Sequence, residues 1–176
     1  MSIYRQYLED WLKTLDVKAE RVLDIGGKQL PVMGRTKSWE VSEYKILDLP
    51  EFDLNNYSQE FTIDGDIIFC LEVFEYLINP LAGLKNIEMC LKENAKAYVT
   101  FAFAYPHHNE LELDSLRYTE SGIRLLAKKA RLRITNTWYR RDKSGLLEQF
   151  YRADGMHPSK DYPNHDVTGF IVEFSK

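Results

Sequence analysis

The run Arg21-Val22-Leu23-Asp24-Ile25-Gly26-Gly27 combines an apolar stretch, a carboxylate and a glycine pair in the order a ligand-holding turn needs. Val22, Leu23 and Ile25 suit a buried parallel strand. Gly26 and Gly27 follow at once, so the backbone of the turn can approach a bound molecule with no Cβ in the way. Asp24 places an acid at the end of the strand where open α/β sheets bind their ligands. The same fragment also suits a strand-terminal aspartate before an ordinary glycine turn. A second run, Tyr44-Lys45-Ile46-Leu47-Asp48, again ends a strand in an acid, and Leu49-Pro50 closes it because proline cannot extend a central strand.

The other reactive side chains exclude several classes of chemistry. Cys70 and Cys90 have neither metal-ligand spacing nor a disulfide framework. Cys70 sits in an apolar run and reads as a small buried hydrophobe. No two of the four histidines, His107, His108, His157 and His165, have ligand spacing on one helix face, so no metal site is expected. A net charge of −4 gives no basic footprint for non-specific nucleic-acid binding. The local group Arg131, Arg133, Arg140, Arg141 and Lys143 reads as a solvated strand and loop. There is no apolar signal region at the N-terminus and no run long enough to span a bilayer. The expectation is a protein of the reducing cytoplasm with no membrane partner.

These groups need elements to position them. At 176 residues with 44% hydrophobic and 28% charged side chains, the chain suits one globular domain over 1–176. A leading helix is expected within 1–18, with apolar residues at Ile3, Tyr7, Leu8, Trp11, Leu12 and Leu15 and Ser2 as its cap. It either packs on the α/β core of 19–176 or covers a pocket. Pro31 and Gly34 make the crossover Lys28–Glu43 short or irregular. Asp66-Ile67-Ile68-Phe69-Cys70-Leu71 is the strongest strand signal. Asn79-Pro80 starts a helix striped by Leu81, Leu84, Ile87 and Leu91, with Asn94 as its stop. A strand at Ala97–Phe103 opens into the loop holding His107 and His108. Thr119 caps the next helix, and strands at Arg133–Tyr139 and Thr168–Phe174 flank a helix at Leu146–Tyr151 and an irregular loop at Met156–Asp166. Alternating strands and helices imply a parallel sheet covered on both faces, and the two late strands imply an antiparallel edge pair.

Four stretches, in order, resemble class I S-adenosylmethionine-dependent methyltransferases, and more narrowly small members similar to methyltransferase type 11 with a variant glycine loop. Leu23-Asp24-Ile25-Gly26-Gly27 is similar to the family's acidic-x-Gly-x-Gly loop. Tyr44-Lys45-Ile46-Leu47-Asp48 is similar to the strand whose terminal acid holds the ribose hydroxyls. Asp66 to Leu77 resembles the strand that family members follow with a Glu-His pair. Asp114-Ser115-Leu116-Arg117-Tyr118-Thr119 resembles an Asp-aromatic-x-Arg-aromatic-Thr run entering a late helix. The resemblance covers Arg21 to about Arg133. It implies a Rossmann-like three-layer αβα sandwich, mostly parallel with an antiparallel edge strand. It implies S-adenosyl-L-methionine as cofactor and transfer of its methyl group to a small-molecule or saccharide-type acceptor.

The cofactor's two ribose hydroxyls suit a strand-end carboxylate, and Asp48 is the candidate. Gly26 and Gly27 let backbone amides approach the amino-acid tail, while Asp24 orients that loop or meets the ammonium through water. Asp53 and Leu54 offer an acceptor and an apolar wall to the adenine, and Leu71 and Glu72 are expected under the cofactor at the end of their strand. An oxygen or nitrogen acceptor also loses a proton, a task for a histidine near neutral pKa. His107 or His108 is the expected base, supported by Glu75 or Tyr76. Arg117 and Tyr118 are expected on the substrate side, where Arg117 holds an anionic group or instead pairs with Asp114.

The chain departs from the family at two points. Gly26-Gly27-Lys28-Gln29 lacks the last glycine of the loop, so Lys28, Arg35 or Lys37 could meet the cofactor's carboxylate, and Tyr76 replaces the usual histidine. A methyltransferase fold that binds or scaffolds without catalysis is the alternative these departures favour. A nicotinamide-nucleotide enzyme is disfavoured, because the loop lacks G-x-G-x-x-G spacing.

Overall fold

The computed structural model describes residues 3–57, 63–105, 114–153, 155 and 164–176. Six strands form one sheet: β1 (Asp16–Ile25), β2 (Ser38–Leu47), β3 (Gly65–Cys70), β4 (Leu91–Ala102), β5 (Arg133–Arg141) and β6 (Val167–Ser175), in the spatial order β2-β1-β3-β4-β6-β5. The first four neighbours pair in parallel, and β6 runs antiparallel to both β4 and β5. The late strands thus make the antiparallel pair at one edge, with β6 one position in and β5 outermost.

Helices lie on both faces because β1, β3 and β4 are apolar on both. Toward one face Leu23, Ile25, Ile68 and Cys70 meet α2 (Pro80–Cys90) and α3 (Glu120–Lys129) through Leu84, Ile87, Ile123 and Ala127. Toward the other, Val17, Val22, Phe69, Tyr98 and Ile171 receive Leu8, Trp11 and Leu12 of α1 (Ile3–Leu12). The buried stripe of α1 is Tyr4, Leu8, Trp11 and Leu12, spaced i, i+4, i+7 and i+8. The cap of α2 forms where expected, with the Asn79 side chain accepting from the Ala82 N–H at 3.2 Å, and Thr119 accepts from the Gly122 N–H at 3.2 Å to start α3.

Two boundaries differ from the sequence expectation. The first halves of β1 and β2 pair from Asp16↔Ser38 onward through mostly exposed, charged positions, so no apolar run announces them. Helix α2 ends at Cys90 and β4 begins at Leu91; Asn94 takes a left-handed conformation (φ 61°) inside the strand, near a register shift against β3. A residue suited to helix stops here bends a strand, because Asn tolerates positive φ in either setting.

The crossover at 26–37 contains no helix. Val32 instead plugs its side chain into the α1 face of the sheet, and Arg35 forks onto Glu9 of α1 at 2.5 and 3.2 Å. Tyr4, at the other end of α1, sits at the carboxyl edge beside Tyr105, ring centroids 4.2 Å apart. Helix α1 therefore spans from the glycine-loop segment to the carboxyl edge of β4. A fourth helix, α4 (Leu146–Ala153), precedes β6 and buries no residue fully. Among the described residues no helix is long and apolar enough to cross a membrane.

Candidate functional site

Register alone assembles the crevice. Ile25 pairs with Leu47 on one side and Cys70 on the other, so Gly26, Asp48 and Leu71 follow side by side at the tips of three adjacent parallel strands. With strands about 4.8 Å apart, Asp48 and the Leu71-Glu72 step stand about 10 Å from each other across Gly26.

Gly26 turns the chain at φ 78°, a left-handed conformation that glycine adopts without cost, and its N–H donates to the Leu47 carbonyl at 2.8 Å. A Cβ here would run into the Val73 side chain. A Cβ on Gly27 would run into the carboxyl group of Asp24. That carboxyl is turned into the protein, only 2% exposed, and its Oδ2 accepts from the Val32 N–H at 2.8 Å and the Tyr44 hydroxyl at 2.5 Å. Burial raises the Asp24 pKa against the opposing pull of those two donors. Asp24 is thus the post against which the loop is braced. Gly27→Ala is expected to destabilise the protein by about 1–3 kcal/mol by forcing that post aside. Urea unfolding measures it, and an unchanged midpoint would mean the loop yields freely.

Asp48 remains half-buried at its strand tip, taking the Leu49 N–H on Oδ1 at 2.8 Å and the Lys28 N–H on Oδ2 at 3.1 Å. Each oxygen keeps a further lone pair for a hydroxyl donor. Asp53 closes a local turn, accepting from the Asn55 N–H at 2.9 Å and the Asn56 amide at 2.6 Å, while Leu54 is buried against the α2 side of the core. Of the three cations considered for a carboxylate ligand, Arg35 is committed to Glu9 and Lys37 to Asp16, which leaves Lys28 exposed on the loop itself.

At the tip of β3, Leu71 is half-buried and Glu72 takes φ 58°, a costly conformation for a residue with a Cβ. Two anchors hold it there. Its N–H donates to Thr100 Oγ1 at 2.6 Å, and its carboxylate pairs with Arg140 at 2.5 and 3.4 Å. Arg140 is 0% exposed; its guanidinium stacks 3.2 Å over the Tyr4 ring and donates to the Tyr4 carbonyl at 2.7 Å. Sequence alone suggests a solvated basic patch around Arg140. The structure corrects this, because Glu72 and the α1 ring supply the charge partner and the flat face that a buried guanidinium needs. Sequence marks neither Arg140 nor Tyr4 as a site residue, although Tyr4 extends the Leu8-Trp11-Leu12 stripe by one turn.

Glu75 lies in a short 3₁₀ turn, Phe74–Tyr76, and is 2% exposed. Burial, and after it the Glu72 charge, push its pKa up to about 8, and its Oε2 has no partner among the described residues. Tyr76 is half-buried beside it, its hydroxyl pushed up to about 12 mainly by burial. Arg117 forks onto the buried Asp114 at 2.5 and 2.7 Å, and the Tyr118 hydroxyl donates to the Phe74 carbonyl at 2.6 Å. Of the alternatives open for Arg117, pairing with Asp114 is what the structure shows; it and Tyr118 fasten the entry of α3 to the 3₁₀ turn. His107 and His108 lie outside the described residues.

No protein-family model and no curated protein matches the sequence. Solved structures do match in shape. The mitomycin 7-O-methyltransferase MmcR superposes with a TM-score of 0.61 at 13% identity, over 99% of this chain and 54% of that one. The [4+2]-cyclase SpnF gives 0.62 at 14% identity, over 97% and 80% of the two chains. Coclaurine N-methyltransferase, solved with N-methylheliamine and S-adenosylhomocysteine, gives 0.57 at 13% identity, over 97% and 70%. This chain thus spans about half the length of MmcR and most of the other two. In its mixed six-stranded sheet and flanking helices, the chain has the Rossmann-like fold of these methyltransferase structures.

Proposed function

We propose that the protein binds S-adenosyl-L-methionine across the tips of β2, β1 and β3 and transfers its methyl group to a small-molecule acceptor. The observation that carries this reading is the register that sets Asp48, Gly26 and Leu71 side by side on three consecutive strand tips, with the half-buried acids Asp48 and Glu72 on either flank of a side-chain-free turn. The donor set fits the group: a carboxylate with free lone pairs for a ribose diol, and glycine backbone for a close approach. Asp24 serves by bracing the loop, Leu71 supplies an apolar floor, and Asp53 with Leu54 flanks the adenine side.

The bound cofactor supplies an activated methyl carbon, so the protein's task is to position the acceptor in line and take its proton. His107 or His108 is the proposed proton acceptor. Glu75, a buried acid poised near neutrality, and Tyr76 support it from the 3₁₀ turn. Saccharide-type acceptors fit this reading, with Arg117 held in its fork on Asp114 at the substrate side. Cytoplasmic location belongs to the same proposal.

Calorimetry with S-adenosylhomocysteine tests it: saturable binding at micromolar to sub-millimolar ligand is expected, and no heat and no thermal stabilisation at millimolar ligand would overturn it. A second reading, a fold that binds the cofactor without turnover, is favoured by the helix-free crossover at 26–37 and the Val73 side chain packed on Gly26. Cofactor binding with no methyl transfer to any of a panel of hydroxylated and amine acceptors would support that reading over the first.

A further inference from the structure

In a cofactor carrying an amino-acid tail, the α-ammonium needs a counter-charge. The strand-end acid nearest the glycine loop in sequence is Asp24, but its Oδ2 is spent on the Val32 N–H and the Tyr44 hydroxyl, and the group is shut away from the crevice. Asp48 stands on the opposite flank, where its oxygens already cap the Leu49 and Lys28 amides. Glu72 is the carboxylate left on the β3 flank, with 29% of its side chain exposed.

Its geometry is that of a prepared site. A left-handed backbone at a residue with a Cβ persists only where its surroundings hold it, and here the Thr100 hydroxyl fixes the amide while Arg140 fixes the carboxylate. Arg140 in turn is held by the Tyr4 ring and carbonyl and is itself fully buried, so it orients Glu72 from behind without reaching the crevice. Each oxygen of the carboxylate keeps a lone pair beyond the one Arg140 takes, 29% of the side chain is exposed, and a preset group loses little freedom on binding.

Resting on the methyltransferase reading above, we infer that Glu72 in place of Asp24 is the counter-charge for the α-ammonium of the cofactor's tail, with Arg140 as its positioning residue. The about 10 Å from Asp48 to the β3 tip matches a molecule lying with its ribose at one acid and its tail at the other. The inference also explains why a strained glutamate, and not a glycine, stands at the end of β3.

The test compares three ligands in calorimetry: S-adenosylhomocysteine, its analogue with hydrogen in place of the α-amino group, and 5′-methylthioadenosine, which lacks the tail altogether. The wild-type protein is expected to bind S-adenosylhomocysteine at least about tenfold more tightly than the deaminated analogue, the size of a charge-assisted hydrogen bond. Glu72→Gln is expected to bind those two equally while keeping its affinity for 5′-methylthioadenosine, which also reports that the crevice is folded. Arg140→Lys is expected to keep part of the discrimination, and Asp24→Asn all of it. Equal binding of the two tailed ligands by the wild type, undiminished discrimination in Glu72→Gln, or discrimination lost in Asp24→Asn would each overturn the assignment. Failure of the wild type to bind any of the three would instead remove the methyltransferase reading on which it rests.

Discussion

Arg140→Ala is expected to lower the unfolding free energy by about 2–4 kcal/mol, the cost of emptying a fully buried side-chain site and removing the donor from two acceptors. Three losses combine. The Glu72 carboxylate loses the guanidinium paired with it. The Tyr4 carbonyl loses a 2.7 Å donor in a buried setting, and the Tyr4 ring loses the guanidinium stacked on it. Helix α1, whose first turn rests on that stack, loosens with it. The contrast is the Lys18–Glu40 pair, whose side chains are 83% and 68% exposed. Solvent screens such a pair, and Lys18→Ala is expected to change stability by less than about 1 kcal/mol. Urea unfolding of both variants measures the difference, and a loss at Arg140 no larger than that at Lys18 would contradict the cluster described here.

Glu75 makes the stability depend on pH in an unusual direction. Its folded-state pKa, about 8, lies above the ordinary 4.5 because burial and the neighbouring Glu72 charge both oppose ionisation. The unfolded chain therefore gives up this proton first. The stabilisation from a neutral buried Glu75 is complete below about pH 4.5 and is lost as pH rises toward about 8, a change of several kcal/mol. Asp24, raised by burial, adds the same sign, whereas the lowered Asp16, Asp66 and Asp142 act with the opposite sign and only at acid pH. Glu75→Gln is expected to flatten the wild-type decline between pH 5 and 8 and to be the more stable protein at pH 8. The difference between the two melting-temperature curves isolates Glu75, since every other group is common to both proteins. Parallel curves would show that Glu75 ionises as an exposed acid does.

The tips of the strands were legible in the sequence because apolar runs followed by Gly26-Gly27, Asp48 and Glu72 mark where a parallel strand must stop and expose polar groups. The direction in which each acid points was not. Asp24 and Glu72 are both carboxylates at strand ends, yet Asp24 turns inward because Tyr44 and the Val32 amide meet it there, partners twenty and eight residues away that no local pattern pairs. Arg140 looked solvated among basic neighbours, and only the pairing of β5 beside β6 and the seating of α1 reveal its burial. Arg117 was ambiguous in sequence for a related reason: an arginine three residues after an aspartate can hold a ligand or its neighbour, and only the fully buried Asp114 decides. Long-range pairing, beyond the reach of periodicity, determined what each charge does.

The central claim is that an adenosyl ligand lies over the tips of β2, β1 and β3. Backbone amide chemical-shift mapping during titration with S-adenosylhomocysteine tests it most directly. The largest shifts are expected at Gly26, Gly27, Asp48, Leu71 and Glu72, with β5 and the exposed face of α3 unmoved. Shifts centred elsewhere, or none at saturating ligand, would contradict it.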